Sequence, residues 1–255
     1  MRRSARAVAL SLAVATAGCA VINPATPPSR AAAATPVHLY ALQDRAVALG
    51  HAAAAADGAP AALVSAGQPL AVEAPPAVLS ERHQARLAQA NELYEKQDYP
   101  RALAAIEPAY LDERDNAFIL EAYARVLYRM GERAQAFVIY RELVDLLDAR
   151  WASTSGPAVT VDLWFVDAYW KAGTLHIDRR EWDRAAFEIS RALVGGVAWA
   201  PLAEDQALSY LTRAYYELGR HEEARYYAER ALGRNPRNTY ARQYLDRLAR
   251  EPKER

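Results

Sequence analysis

A pattern that returns after 34 residues constrains the fold of this chain more than any other feature. Residues 94–102 are followed 34 positions later by residues 128–136, which place aromatic and small side chains in the same order. The pattern returns twice more, at Trp182, Ala185, Ile189 and Ala192 and then at Tyr216, Gly219, Ala224, Ala228, Ala231 and Pro236. A unit of this length cannot bury its apolar face alone. The period therefore predicts units that stack on one another in an array.

The recurring residue types indicate pairs of closely packed helices. Small side chains allow helices to approach where they cross, and they stand at Ala90, Ala102, Ala124, Ala136, Gly173, Ala185 and Ala224. Gly131 and Gly219 suit a turn between two helices that requires a positive φ. Gln97 and Arg180 stand at the equivalent positions in two other units, so those turns must use another geometry or accept strain.

These residues resemble the tetratricopeptide repeat, and the match is best at Tyr216-Glu217-Leu218-Gly219-Arg220-His221-Glu222-Glu223-Ala224, closed by Asn235-Pro236. The resemblance implies an all-α, right-handed α-solenoid over residues 80–252. About four helix-turn-helix repeats are expected, near 83–116, 117–150, 166–199 and 205–238, with a C-terminal capping helix over 239–251. In each repeat the first helix is called helix A and the second helix B.

Two insertions interrupt the period. Fifteen residues, 151–165, separate the second and third repeats, and five residues, 200–204, separate the third and fourth. We expect the first insertion to form a loop followed by a lengthened helix A that begins near Val159.

The first 18 residues have the pattern of a lipoprotein signal peptide. A basic start is followed by an apolar run over 7–17, which is too short to span a bilayer. Thr16-Ala17-Gly18-Cys19 resembles the bacterial lipobox, which implies lipidation of Cys19 and an anchor in the outer membrane, facing the periplasm. The alternative is cleavage after Ala17 or Ala20 and a soluble periplasmic protein. Cys19 is the single cysteine, so no intrachain disulfide can form.

Residues 19–79 differ in composition from the repeats. Eight of the 14 prolines lie there, together with alanine runs and few charged residues. Such a segment buries too little apolar area to offset the cost of ordering it, which predicts a tether. A helix within 37–56 and a hairpin or docking strand within 61–78 are the parts that the pattern allows to be ordered. Whether they dock on the repeats stays open.

No arrangement of residues indicates catalysis. The five histidines have no ligand spacing, and no nucleophile elbow, phosphate-binding loop or zinc-protease motif is present. Lys plus Arg equals Asp plus Glu at 31 each, which gives no overall basic footprint for nucleic acid. We therefore expect no enzyme activity, cofactor, metal, small-molecule substrate or nucleic-acid partner.

The resemblance places a partner-binding groove on the helix-A side. The positions that line it in the family hold Asn91, Tyr94, Glu95, Phe118, Glu121, Arg125, Tyr128, Arg129, Trp170, Arg213, Tyr216 and Glu217. Arginine with tyrosine or tryptophan is typical of binding hot spots, which favours an extended peptide or a helix as the partner. The alternative for Tyr94, Tyr128 and Tyr216 is a purely structural role between helices.

These features together predict a non-catalytic scaffold or adaptor in the bacterial cell envelope. The resemblance suggests assembly of an envelope complex, such as a pilus, a secretion system or the outer membrane. An alternative is an accessory subunit that localises a cell-wall or polysaccharide enzyme, and another is self-association.

Overall fold

The computed structural model describes residues 40–42, 44–45, 70–72, 79–155, 159–195 and 201–250, with only the backbone described for 70–72, 153–155 and 201–203. The predicted signal peptide and Cys19 lie outside these residues. Residues 40–42 and 44–45 are helical, within the segment where the sequence allows a helix. The longer helices of the described part are α1 (Glu81–Glu95), α2 (Tyr99–Asp112), α3 (Ala117–Met130), α4 (Arg133–Ser155), α5 (Val166–Asp178), α6 (Trp182–Gly195), α7 (Pro201–Glu217), α8 (His221–Arg234) and α9 (Thr239–Arg250). Two short strands, β1 (Leu70–Val72) and β2 (Thr160–Asp162), and a 3-10 helix (Leu163–Phe165) complete the order.

The helices form four antiparallel pairs and a cap, as the 34-residue period predicts. The pairs are α1 with α2, α3 with α4, α5 with α6, and α7 with α8, and each helix packs on the next along the chain. Helix α9 packs on α8 and closes the array. The odd-numbered helices α1 to α7 form the helix-A layer, and the even-numbered helices α2 to α8 form the helix-B layer.

In all four turns between helix A and helix B, the residue at the equivalent position adopts the left-handed conformation. Its φ is 60° at Gln97, 86° at Gly131, 60° at Arg180 and 73° at Gly219. In the turn after α3, for example, the N–H of the next residue donates to the carbonyl of Leu127 at 3.0 Å, which satisfies the helix end. The turns with Gln97 and Arg180 therefore keep the glycine geometry and accept a conformation that costs a side chain free energy.

Short polar side chains begin several of the helices. The Ser80, Asp98 and Asn116 side chains accept hydrogen bonds from backbone N–H groups in the first turns of α1, α2 and α3. Asn238 caps α9 by accepting from the N–H of Ala241 at 2.9 Å. Its amide also donates to Asp205 of α7 at 2.7 Å, so the cap is tied to the last repeat.

Two apolar cores run along the array. One lies mainly among α1 to α5 and includes Ile106 and Leu143, and the other lies mainly among α5 to α9 and includes Ile189 and Leu211. The small residues predicted at helix crossings, such as Ala102, Ala136, Ala185 and Ala224, are completely buried. The close approach that the sequence predicts is therefore present.

The first insertion differs from the prediction of a lengthened helix A beginning near Val159. Helix α4 instead continues for 23 residues to Ser155, and helix A of the third repeat begins at Val166. Between them β2 is extended, which suits its β-branched residues. Asp162 then accepts from the N–H of Trp164 at 3.0 Å and starts the 3-10 helix.

The described parts of the N-terminal segment dock on the repeats. Strand β1 pairs with β2 in parallel, with Leu70 opposite Thr160. The Tyr40 ring lies edge-on to Tyr226 of α8, with 5.6 Å between ring centroids, and Leu42 is 1% exposed. Asp44 forms an ion pair with Arg220. The remaining residues of the predicted tether lie outside the described part.

A buried charged cluster joins β2 to α4 and α6. Arg191, 1% exposed, donates to Asp148 at 2.6 Å and to the Thr160 carbonyl at 3.0 Å, and it lies 3.3 Å from Glu188. Its guanidinium carbon is 3.9 Å from the ring centroid of Tyr169. Burial, with a smaller contribution from Asp148, raises the pKa of Glu188 to about 7 although Arg191 opposes the shift. These contacts fix the insertion against the helix-B layer.

Candidate partner-binding surface

Arg125 of α3 is the centre of the predicted groove in the first two repeats. Its Nη2 donates to Oδ1 of Asn91 at 2.6 Å, and its guanidinium carbon lies 4.5 Å from the ring centroid of Tyr94. Its Nε is 3.8 Å from the carboxylate of Glu121, one turn earlier on α3. The Arg125 and Glu121 side chains are 27% and 21% exposed, so the polar ends remain partly open to solvent. The structure thus brings together four of the predicted residues.

Glu121 lies in an environment that disfavours its charge. Burial raises its pKa, and the nearby carboxylate of Asp167 adds to this, whereas Arg125 and Lys171 oppose it. A poorly hydrated carboxylate gains more from a new hydrogen-bond donor than an exposed one does. Glu121 is therefore a favourable acceptor for a donor that a partner supplies.

The same surface continues onto the third and fourth repeats. Lys171 of α5 places its Nζ 4.9 Å from the ring centroid of Tyr128 and 4.0 Å from Asp167. Trp170 lies beside Tyr210 of α7, with 5.6 Å between ring centroids and a tilt of 42°. We call the set Asn91, Tyr94, Glu121, Arg125, Tyr128, Asp167, Trp170, Lys171 and Tyr210 the helix-A face, since all its members lie on α1, α3, α5 and α7.

Four predicted groove residues lie against neighbouring helices or the insertion. Phe118 packs on Trp164 and Phe165 of the insertion, with ring-centroid distances of 6.0 and 5.0 Å. Arg129 donates to the hydroxyl of Tyr99 on α2, at 3.3 Å from Nε and 3.2 Å from Nη2. These contacts hold Phe118 against the insertion and Arg129 against α2.

The other two members of that group lie at the capped end. The Arg213 guanidinium carbon is 5.1 Å from the ring of Trp182. Tyr216 lies 5.1 Å from the ring of Tyr244 on α9 and 5.7 Å from that of His221. Arg213 and Tyr216 therefore contribute to the packing of α6 and of the cap. The last two predicted residues, Glu95 and Glu217, are exposed at the ends of α1 and α7.

Sequence reasoning missed three members of the helix-A face. Asp167, Lys171 and Tyr210 were not among the predicted groove residues, although each is within one turn of a position that was considered. The insertion before α5 obscured where its helical turns would fall. Lys171 could have been found one position after the aligned Trp170, and Asp167 and Tyr210 one helical turn before the aligned Trp170 and Arg213.

The described residues contain no group of three or more His, Cys, Asp or Glu side chains that could hold a metal ion. A cleft of about 590 Å³ lies between α4, α6 and the docked N-terminal residues. Its lining mixes acids and bases, including Asp148, Glu188, Arg184 and Arg220. None of its lining residues belongs to the helix-A face. Within the described ranges, no helix is both long and apolar enough to cross a membrane.

Comparison with known proteins finds similarity in structure. No family model matches the chain, and no curated protein matches its sequence. A crystal structure of the MamA protein superposes with a TM-score of 0.50 at 18% identity, over 67% of this chain and 82% of that one. A double mutant of MamA RS-1 gives a TM-score of 0.50 at 12% identity, over 67% of this chain and 85% of that one.

A third structure is YrrB, described as a TPR protein with an unusual peptide-binding site, with 19% identity and a TM-score of 0.41 over 56% of this chain and 64% of that one. At these identities the similarity concerns the fold.

Proposed function

Because the chain folds as a tetratricopeptide-repeat array, we propose that it is a non-catalytic scaffold that binds a segment of a partner protein on its helix-A face. The observation that carries the proposal is the stacking of cations on aromatic rings of the preceding repeat. Arg125 rests on Tyr94, and Lys171 rests on Tyr128. These contacts hold long side chains in place before a partner arrives, which reduces the entropy lost on binding.

The composition of the helix-A face favours a partner segment with both polar and apolar side chains. Glu121 and Asp167 offer acceptors, Arg125 and Lys171 offer donors, and these alternate along α3 and α5. The Trp170–Tyr210 pair offers an apolar contact with polar atoms at its edge. An extended peptide or one face of a helix presents such a mixture along a line.

We propose the bacterial cell envelope as the place of action, with the lipobox-like motif at Cys19 as the support. The intact mass of the protein in the membrane fraction tests this. We expect a wild-type chain that begins at Cys19 with added acyl groups, and loss of these groups in Cys19→Ala. A soluble, unacylated chain cut near Ala17 or Ala20 would contradict the anchor and leave the scaffold proposal standing.

Site-specific photo-crosslinking tests the binding surface. A photoreactive amino acid at Lys171 is expected to crosslink one discrete partner in cells. The matched control is the same amino acid at Val138, which is 59% exposed on α4 in the helix-B layer. We expect the Val138 position to give no such product.

Substitution then tests the chemistry of the surface. Arg125→Ala combined with Trp170→Ala should abolish the crosslink from Lys171 while the circular dichroism stays helical. Arg213 is left unchanged because its contacts with Trp182 are structural. An undiminished crosslink in the folded double variant, or equal crosslinks from Lys171 and Val138, would exclude the helix-A face as the binding site. The identity of the crosslinked protein distinguishes an envelope assembly factor from a cell-wall or polysaccharide enzyme.

A further inference from the structure

The capped end of the array carries a surface of exposed arginines. Arg237, in the turn before α9, and Arg242, Arg247 and Arg250 on α9 are all exposed, and we call them the C-terminal basic face. Asp246 is the single acidic residue of α9. Arg242 donates to the Pro236 carbonyl at 2.7 Å, and Arg247 lies over the Tyr244 ring at 5.1 Å. The ion pairs that the structure describes near this end are formed by Arg220 and Arg234 instead.

The net charge of zero gives no indication of this surface, because basic and acidic residues are distributed unevenly along the array. Residues 220–250 hold eight arginines and four acidic residues, whereas residues 79–116 hold five basic and eight acidic residues. The positive excess at the capped end therefore lies within residues 220–250, because α7 of the same repeat holds one arginine and three acidic residues, and the first repeat has an acidic excess. A surface on which four exposed arginines accompany one exposed carboxylate, that of Asp246, attracts anionic surfaces at low and physiological ionic strength.

A second, independent observation concerns where the N-terminal segment joins the array. Tyr40 rests on Tyr226 of α8, and Nη1 of Arg230 donates to the hydroxyl of the same Tyr226 at 3.1 Å. Leu42 packs among Val159 and the side chains of α6. The segment that leads back to Cys19 therefore leaves from the helix-B layer of the last two repeats, next to the helix that α9 covers.

The length of the chain limits how far this attachment can lie from an anchor. Tyr40 is 21 positions after Cys19, so the covalent chain spans at most about 75 Å between them. An anchor at Cys19 would consequently hold the C-terminal repeat within reach of the bilayer. It would not by itself fix which surface of the repeat faces the lipid.

We propose that the C-terminal basic face binds an anionic lipid surface and orients the array on it. This inference rests on the proposed lipid anchor for its location. The attraction of each arginine near an anionic bilayer strengthens binding by roughly fivefold, and it decays within about 10 Å at moderate salt. The anchor keeps the array near the bilayer, and the four arginines determine which surface of the array faces the lipid.

Vesicle sedimentation with a chain that begins at Ala20 tests the proposal without any acyl group. The buried residues of the two apolar cores lie at position 90 or later, and the described docked residues begin at Tyr40, so this chain keeps every residue that the structure describes. We expect it to bind vesicles of equal parts phosphatidylglycerol and phosphatidylcholine, and not to bind vesicles of phosphatidylcholine alone. Binding should weaken at least tenfold when Arg242, Arg247 and Arg250 are replaced by glutamine, and it should decrease with added salt.

The matched control removes three charges at the opposite end, through Arg82→Gln, Lys96→Gln and Arg101→Gln, all on exposed side chains. We expect this variant to bind as wild type does. If the first triple variant loses helicity, Arg237→Gln with Arg250→Gln replaces it, since both side chains are exposed and neither forms an ion pair or a ring contact with the residues that the structure describes.

Three results would overturn the proposal. One is absence of binding to the anionic vesicles, and another is equal weakening in both triple variants. The third is a basic-face variant that alters the mass of the protein in solution and leaves vesicle binding unchanged. That outcome would assign the basic face to the acidic first repeat of a second copy. Each result is independent of whether Cys19 is acylated and of whether the helix-A face captures a partner.

Discussion

Arg125 donates a hydrogen bond to Asn91, which stands 34 residues earlier, at the equivalent position of the preceding repeat. Each residue is three positions before the tyrosine of its own repeat, Tyr94 or Tyr128. The bond therefore connects the same site in two successive units. The helix-A face is a linked row of side chains, and a substitution at one repeat is expected to affect binding at the next.

The left-handed turn residues should respond in opposite directions to exchange with glycine. Gln97→Gly, at φ 60°, removes a side chain from a conformation that disfavours it, and should raise the free energy of unfolding by about 1 kcal/mol. Gly131→Ala should lower it by about as much, since an added Cβ meets no atom within 4 Å and the cost is conformational. Thermal unfolding of both variants measures this. Shifts in the same direction would contradict the shared turn geometry.

Glu188 should make stability depend on pH. Burial raises its pKa from 4.5 to about 7 in the folded chain. The stabilisation from a raised acid pKa is complete below the unfolded value and is lost as the pH rises through the folded one. Urea unfolding of the wild type should lose up to roughly 3 kcal/mol from this residue between about pH 5 and 8.

Glu188→Gln should remove that part of the pH dependence. Arg191 keeps its contacts with Asp148 and the Thr160 carbonyl in this variant. The control is Glu229→Gln, on an exposed position of α8, which should follow the wild-type curve. Parallel curves for wild type and Glu188→Gln would exclude Glu188 as the titrating group.

Gly173 and Ile189 should be energetically coupled. A Cβ at Gly173 would lie 2.6 Å from Cγ1 of Ile189 and 3.1 Å from its backbone nitrogen. We expect Gly173→Ala to cost about 1–3 kcal/mol through overpacking between α5 and α6. In Ile189→Ala the obstructing side chain is gone, so adding Gly173→Ala should cost less than it does in the wild type. Additive costs in the double-mutant cycle would refute this direct contact.

The docked N-terminal residues should detach when Leu42 is truncated. Leu42 is 1% exposed and packs with Val159 and Phe187, so Leu42→Ala should weaken the docking by about 2–3 kcal/mol. Amide hydrogen exchange of residues 40–45 should accelerate, and that of α3 should stay unchanged. Arg45→Ala, on an exposed side chain, serves as the control. Unchanged exchange in Leu42→Ala would show that these residues are held by other contacts.

The repeats could be predicted from the sequence because each residue that marks them acts through contacts close to it in the chain. The turn positions Gly131 and Gly219, the small residues at crossings and the helix over Thr239–Arg250 follow from neighbours within one repeat or the next. The 34-residue period made the equivalent but unusual Gln97 and Arg180 recognisable as well. Such local relations are visible in a single sequence.

The conformation of the insertion between the second and third repeats could be determined only from the structure. The strand at Thr160–Asp162 exists through pairing with Leu70–Val72 and through Arg191, and both contacts are remote in sequence. Periodicity carries no information about a partner 90 residues away.

The surroundings of Phe118 and Arg213 needed the structure as well. Alignment with the family placed both residues in the predicted groove, but it could not identify Trp164 and Trp182 as the rings that they contact. Trp164 belongs to the insertion, and Trp182 begins helix B of the third repeat. Contacts of this kind depend on how successive units stack across an interrupted period, so they could be identified only from packing.

The contacts of the N-terminal segment affect the order in which the repeats of this array unfold. Stacked repeats ordinarily fray from either end, since each unit touches only its neighbours. Here Asp44, which precedes the first repeat, is paired with Arg220 at the start of the last helix B, 176 residues away. The terminal unit is thus secured by the opposite end of the chain. Unfolding of the last repeat requires the Asp44–Arg220 ion pair to break. We therefore expect the last repeat to unfold together with the release of the docked N-terminal residues.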